Sequence, residues 1–281
     1  MELISTFVKE KNGKAKHYET IKAFNKMFIV ELDKNGNAKI KKDIEVVEKI
    51  LAKGINNITL ADRFTLLNIY NVSYHESGKI EGVFSFDSSA TNCGFCQAMR
   101  ELAKLNPGTV ICEFCYDYDQ EKYRYAALNR HTLNMIIMST IEFSVDELAT
   151  LPAGYRIRVN SSGDATNEIY ARNMLKLGYA FLNSKVAIWT KNSGVYIAAC
   201  RAIGKPQNVK LIKSSIYIDK PEELPEFFDY VFTVYFDKEK VAAALANGGS
   251  ECNGKKCRDC GYKCYDGLWD DGDNIIELLR K

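Results

Sequence analysis

No stretch of this sequence stays apolar for the roughly 18 residues that a membrane-crossing helix needs. The N-terminal segment meets Lys9 and Glu10 before any apolar run reaches signal-peptide length. Charge of one sign is equally scarce. Thirty-eight Lys and Arg face 36 Asp and Glu, a formal +2, so any polyanion or membrane surface has to be local. The chain holds no GxxxxGK[ST] phosphate loop and no GxGxxG fingerprint after a strand. Its three histidines, His17, His75 and His131, give no Ser-His-Asp order, and His131 falls on a helical face. Hydrolase and nucleotide-kinase readings therefore lack a motif. Internal repeats and low-complexity segments are absent too, and 46% hydrophobic with 26% charged residues excludes disorder and collagen-like order. A globular, cytoplasmic chain with no membrane partner is the expectation.

Cysteine is what the sequence has in excess: nine residues, eight of them in two short clusters. In a cytoplasmic chain, clustered thiols read as metal or iron-sulfur ligands before disulfides. The first cluster, Cys93-Gly-Phe-Cys96 and Cys112-Glu-Phe-Cys115, has the spacing of two zinc knuckles. The second sets Cys252, Cys257, Cys260 and Cys264 within thirteen residues, with Gly254 and Gly261 for the tight turns. Such density suits structural zinc or a 4Fe-4S cluster equally. Neither cluster has the CxxxCxxC order of the usual radical S-adenosylmethionine enzymes; Cys257, Cys260 and Cys264 run in the reverse spacing. Cys200, beside Ile197-Ala198-Ala199, reads as a buried small hydrophobe.

Three sections are expected: a mixed α/β front at 1–75, a βα-repeat core at 76–247 that carries the first cluster, and a cysteine-rich metal-binding tail at 248–281. In the front section a strand at Met27–Leu32 precedes a helix through Ile44, Val47, Ile50 and Leu51 and a second helix over Thr59–Tyr70. From Lys79 onward, strand-like runs at Ile80–Phe86, Tyr155–Asn160, Lys185–Trp189, Val209–Lys213 and Tyr230–Tyr235 alternate with helical stretches, one of them over Glu121–Met138. Alternation of this kind predicts an α/β fold with a parallel sheet. Polar residues end four of the strands: Ser85–Ser89, Ser161–Asp164, Thr190–Asn192 and Ser214–Ser215. In a parallel sheet these loops share the carboxyl rim, where ligands bind.

Several ordered motifs resemble the phage gene product 88 family, found in phages and other mobile elements. They are Lys79-Ile-Glu-Gly-Val-Phe-Ser, Phe95-Cys96, Cys112-Glu-Phe-Cys115-Tyr116, Arg158-Val-Asn-Ser-Ser-Gly-Asp164, Trp189-Thr-Lys-Asn192 and the cysteine-rich tail. The resemblance spans roughly Lys79 to Tyr265 and agrees with a barrel-like core; with only five clear strands in this section, the expectation is an incomplete TIM-barrel-like core closed by the front section. The resemblance implies a three-cysteine set matching Cys96, Cys112 and Cys115, with Cys93 an addition of this chain. Three thiolates can hold a 4Fe-4S cluster with one iron open to substrate; four close the site. The family's Arg-x-x-Ser-x-Gly-Asp pattern maps onto Arg158, Ser161, Gly163 and Asp164. Asp164 is then a general base, nucleophile or cation ligand, or the cap of the helix that follows. Lys191 adds a cation on the same rim, and Ser161, Ser162 and Gly163 form a cofactor-binding turn.

The leading expectation is an iron-sulfur enzyme doing redox or radical chemistry on a small or nucleotide-derived substrate, with Asp164, Lys191 and Arg158 as catalytic residues and one or two 4Fe-4S clusters. The alternative is a zinc-stapled protein that binds or modifies nucleic acid, to which the basic residues Lys255, Lys256, Arg258 and Lys263 point. A third reading is an interaction protein whose metals only stabilise loops.

Overall fold

The computed structural model describes residues 1–11, 13–252, 256–269 and 273–278. Gly254 and Lys255 of the expected tail lie outside them. The chain opens with a three-stranded antiparallel sheet: β1 (Glu2–Lys11), β2 (Lys14–Ala23) and β3 (Lys26–Glu31), in the order β1-β2-β3. Two helices follow, α1 (Lys39–Leu51) and α2 (Leu60–Ile69), at the positions that the apolar periodicity predicts. The start of α2 is fixed by a capping box in which the Thr59 side chain accepts from Asp62 N while the Asp62 carboxylate takes the Thr59 amide.

The remainder builds a larger sheet. Its strands are β4 (Ser73–Tyr74), β5 (Phe84–Phe86), β6 (Arg156–Val159), β7 (Lys185–Thr190), β8 (Val209–Ser214), β9 (Tyr230–Tyr235), β10 (Ser250–Glu251) and β11 (Asn274–Leu278). Interleaved are α3 (Gly94–Leu105), α4 (Tyr116–Glu121), α5 (Tyr125–Thr140), α6 (Val145–Leu148), α7 (Glu168–Ala180), α8 (Ser193–Ile203), α9 (Lys238–Ala246) and α10 (Lys263–Asp266). The eight strands lie in the order β10-β11-β9-β8-β7-β6-β5-β4, and every pairing except β4 with β5 is parallel. The protein is an α/β fold with a mostly parallel sheet.

From β5 to β9 neighbours in the sheet are neighbours in the chain, and helices α5, α7 and α8 of its connections pack into one core on one face. The two-residue period of the strands then sorts the side chains. Ile157 and Val159, Val186 and Ile188, and Val209 and Leu211 enter the core that also holds Leu133 and Ile137 of α5, Met174 and Leu177 of α7, and Ala199 and Cys200 of α8. Ala187, Ile212, Tyr230 and the half-buried Trp189 and Phe232 face the other way, where Tyr262, Tyr265 and Trp269 of the C-terminal segment cover them. The front sheet is tied to α5 by Asn129, whose amide donates to Ile29 O (2.7 Å) and accepts from Ile29 N (3.0 Å).

Three local expectations shift. The strand expected at Ile80–Phe86, β5, begins at Phe84, because Gly82 (φ +81°) turns the chain back onto His75 through Gly82 N–His75 O (2.7 Å). The helix expected over Glu121–Met138 is two helices, broken at Arg124 (φ −108°, ψ 71°), which puts Glu121 at the end of α4. The long hairpin of β1 and β2 adds to the front section.

Candidate functional site

The loops at the carboxyl ends of β5 to β8 carry the polar residues that the sequence places there, and most of these are buried: Ser85, Asp87, Ser88, Ser89, Asn160, Ser162, Asp164, Thr190, Ser214 and Ser215. Burial demands partners, and the loops supply them to each other. Ser88 N donates to Ser162 O (3.1 Å) and Ser88 Oγ to Asp164 O (2.9 Å), closing the loop after β5 onto the loop after β6. Gly163 makes that approach feasible. Its φ of +71° suits glycine, and a β-carbon there would sit 2.3 Å from Ser88 Oγ and 2.5 Å from Ser88 O. Asn160, also left-handed (φ +59°), is held by Tyr170 Oη donating to its Oδ1 (3.0 Å) and by its own amide donating to Trp189 O (3.0 Å).

Two carboxylates brace the first cysteine loop. Asp87 Oδ1 accepts from Ser161 Oγ (2.5 Å) and Ser162 N (3.1 Å), and Ser161 Oγ lies 3.2 Å from Ser85 Oγ, itself 2.6 Å from His75 Nε2. Burial pulls His75 below its ordinary value. Glu121 is buried and accepts from Ser89 Oγ (3.0 Å), Ala90 N (3.2 Å) and Thr91 N (2.8 Å), with His131 Nδ1 at 3.0 Å. Burial pulls His131 down, but its bond to Glu121 and the charges of Asp87 and Asp117 outweigh that and leave it raised.

This brace delivers Cys93 as the N-cap of α3, fully buried, with Sγ accepting from Cys96 N (3.5 Å) and 3.6 Å from Asp164 O. Contact with the Cys96 thiol draws Cys93 below the usual thiol range, while the same contact and burial hold Cys96 well above it. The second pair comes from a separate strap. Ile111 N donates to Ile216 O (2.9 Å) and Ile218 N to Thr109 O (2.8 Å), so the loop after β8 anchors the segment between α3 and α4 that carries Cys112 and Cys115, both half-buried and both raised chiefly by burial.

Cys96, Cys112 and Cys115 line one cavity of about 200 Å³, together with Asp117, Arg158, Ser161, Gly163, Asp164 and Lys191. Cys93 is not part of its wall. Asp164 is a latch between strands: Oδ1 accepts from Thr190 Oγ1 (2.5 Å) and Ala165 N (2.7 Å), and Oδ2 from Lys191 N (2.7 Å). Burial raises its carboxyl despite these donors. It does not cap the next helix, contrary to one expectation; the side chain of Asn167 does, accepting from Tyr170 N at 2.9 Å. Among the described residues the Lys191 ammonium makes no hydrogen bond or ion pair. Burial disfavours its charge, but Cys112, Asp164, Cys115 and Cys96 together outweigh burial and leave it raised. Asp117 is pushed up to about 6 by burial and the nearby Asp87 charge.

Arg158 lies between this cavity and the tail. Its guanidinium sits 4.1 Å from the Trp189 ring centroid, and its Nε has no hydrogen-bond partner among the described residues. Burial disfavours its charge, and Tyr265, Cys257, Asp87 and Asp117 restore it. The tail is pinned beside the sheet by Cys252 N–Ile276 O (2.7 Å), Cys257 N–Lys79 O (2.7 Å) and Tyr262 Oη–Glu81 O (2.8 Å). Within it Trp269 Nε1 donates to Cys264 Sγ (3.3 Å), and burial pushes the Cys264 thiol up to about 12.

The structure thus brings together Cys96, Cys112, Cys115, Arg158, Ser161, Gly163, Asp164 and Lys191. Ser162 stays out of the cavity wall, its amide on Asp87 and its buried hydroxyl without a partner among the described residues. No three His, Cys, Asp or Glu side chains among the described residues are preset around an ion, and no disulfide joins any of the nine thiols. The donor chemistry fits a thiophilic metal at both clusters: three thiols on one cavity, and four on one short segment against the sheet. Sequence reasoning missed Asp117, Glu121 and His75. The first two sit in a helix too short to show a period, and His75 follows a strand of two residues. Among the described residues no helix is long and apolar enough to cross a membrane. No family model, no curated protein and no solved structure matches the chain.

Proposed function

We propose that the chain is an iron-sulfur enzyme that acts on a small substrate at the carboxyl rim of its sheet. The observation that carries this reading is the shared cavity of Cys96, Cys112, Cys115 and Lys191, from whose wall Cys93 is absent. Three thiolates are the set that leaves a 4Fe-4S cluster one open iron, and a cluster so held supplies electrons and a coordination position for substrate. Lys191 offers an unpaired ammonium to the thiolates and to an anionic group of the substrate. Asp164 fixes the backbone that carries Lys191 and is a positioning residue. Arg158 adds a second cation, and the half-buried Asp117 offers a proton acceptor.

The sequential strand order from β4 to β9 supports the incomplete-barrel architecture, since an open doubly wound sheet would reverse its order at a switch point within that run. Resemblance to the phage gene product 88 family agrees with the three-cysteine set. Cys252, Cys257, Cys260 and Cys264 would hold an auxiliary centre, 4Fe-4S or structural zinc. A zinc site closed by Cys93, Cys96, Cys112 and Cys115 is the second reading, favoured by the contact between Cys93 and Cys96. Protein purified without oxygen separates the two. Brown protein with iron and acid-labile sulfide supports the enzyme, while colourless protein with zinc and no sulfide refutes it.

A further inference from the structure

A larger cavity, of about 840 Å³, opens between the front sheet and the start of α5, and shares no lining residue with the rim. Its wall carries five cations, Lys9, Lys16, Lys39, Arg124 and Arg130, against two carboxylates, Glu10 and Glu31. One local surface is therefore more basic than the whole chain, whose net charge is +2. The carboxylates do not neutralise it. Glu31 is taken up by Lys16 (2.7 Å) and accepts from Tyr18 Oη (3.3 Å), while Lys39, Arg124 and Arg130 form no ion pair among the described residues.

Aromatic faces stand among these cations. Tyr125 is held edge-on against Tyr18 (centroids 5.4 Å apart, planes at 83°), with the Lys9 ammonium 4.5 Å from its ring centroid. Tyr123, in contrast, is 78% exposed. The amides that begin α1 and α5 face no side-chain cap and no acidic residue in the first turn, which adds positive potential to that of the cations. Cations without partners, interleaved with a free aromatic ring along an open groove, are the features that recognise a single strand of nucleic acid. Phosphates take the charge and bases take the ring. The basic tail that first pointed to nucleic acid is already engaged: Lys256 and Arg258 pair with Glu81 (2.9 and 3.1 Å), and Lys263 lies over Trp269.

We propose that this groove binds single-stranded nucleic acid, with backbone phosphates on Lys39, Arg124 and Arg130 and a base stacked on Tyr123. The site stands independently of the rim chemistry.

The test uses the intact chain and a fluorescein-labelled oligothymidylate, followed by anisotropy over a salt series. The Arg124→Glu/Arg130→Glu variant should bind at least ~10-fold more weakly. Its log-log salt slope should be shallower by about 1.4, two contacts at ~0.7 each. Tyr123→Ala, an exposed substitution that leaves the charge unchanged, should lose about 5-fold or more. The Lys49→Glu/Lys104→Glu variant makes the same charge change on other exposed surfaces and should bind like wild type. The proposal is overturned if wild type does not bind the oligonucleotide, or if both double variants weaken equally. It is also overturned if inorganic polyphosphate competes as well as the oligonucleotide while Tyr123→Ala is silent. Binding of adenosine monophosphate as tight as that of the oligomer would make the groove a mononucleotide site and refute the single-strand reading.

Discussion

Replacing Asp164 by Asn separates the latch from ordinary rim polarity. The carboxylate accepts three hydrogen bonds, from Thr190 Oγ1, Ala165 N and Lys191 N, in a site only 4% exposed. Asparagine has one acceptor oxygen, so whichever way its amide turns, an NH2 faces a donor. With the oxygen on the Oδ1 side, Thr190 and Ala165 stay satisfied and the Lys191 amide is orphaned. An orphaned buried donor costs about 1–3 kcal/mol, and bonds to a charged acceptor are worth about 1.5–3 kcal/mol each. Removing a buried charge offsets part of this, since burial already raises the Asp164 carboxyl. The net is about 2–3 kcal/mol, or a melting temperature lower by roughly 4–12 °C at ~2–4 °C per kcal/mol. Thr190→Val removes one donor to the carboxylate and also the acceptor of Asn192 N (2.9 Å), so it too should cost about 1.5–3 kcal/mol. Thermal melts of the three proteins at matched metal content read this directly. An Asp164→Asn variant that melts within about 1 °C of wild type would show that Asp164 is not the latch.

Gly163→Ala should be more severe than a typical surface change, because its β-carbon would meet Ser88 at 2.3 Å in a left-handed backbone; limited proteolysis should then cut the loops after β5 and β6 faster than in wild type. Glu147 is held at about 2, below its ordinary 4.5, chiefly by Arg63 Nε and Nη2. A depressed carboxylate contributes stability above its unfolded value and loses it on acidification, so the urea-midpoint gap between wild type and Glu147→Gln should be full at neutral pH and shrink between pH 4.5 and about 2. A gap of constant size would contradict the ion pair. Cys260→Ala should lower bound metal and loosen the C-terminal segment, measured by metal analysis and hydrogen exchange; unchanged metal content would mean that the tail thiols do not share a centre.

Much of the sheet was legible because its strands are continuous apolar runs that end in polar loops, and the rim could be assembled from Ser85–Ser89, Ser161–Asp164 and Thr190–Asn192. Asp164 and Lys191 fell within that pattern. The front hairpin was not legible: β2 begins with four exposed residues, so its outer half shows no buried face to betray a strand. Glu121 was invisible as a brace, since the loop groups that it holds lie thirty or more residues away in the chain. The spacing Cys93-x-x-Cys96 suggested four equal ligands. Helix geometry separates them, burying the first as a cap and turning the second into the cavity. That the tail covers the face opposite the helices follows from tertiary packing of Tyr262, Tyr265 and Trp269, which no local period encodes.

Iron, acid-labile sulfide and zinc counted per chain, in wild type, Cys93→Ser and Cys96→Ser purified without oxygen, test the three-thiolate site most directly. An open cluster on Cys96, Cys112 and Cys115 predicts iron and sulfide in wild type, the same content in Cys93→Ser, and one cluster fewer, about four irons, in Cys96→Ser. Zinc without sulfide in wild type, lost equally from both variants, would contradict it.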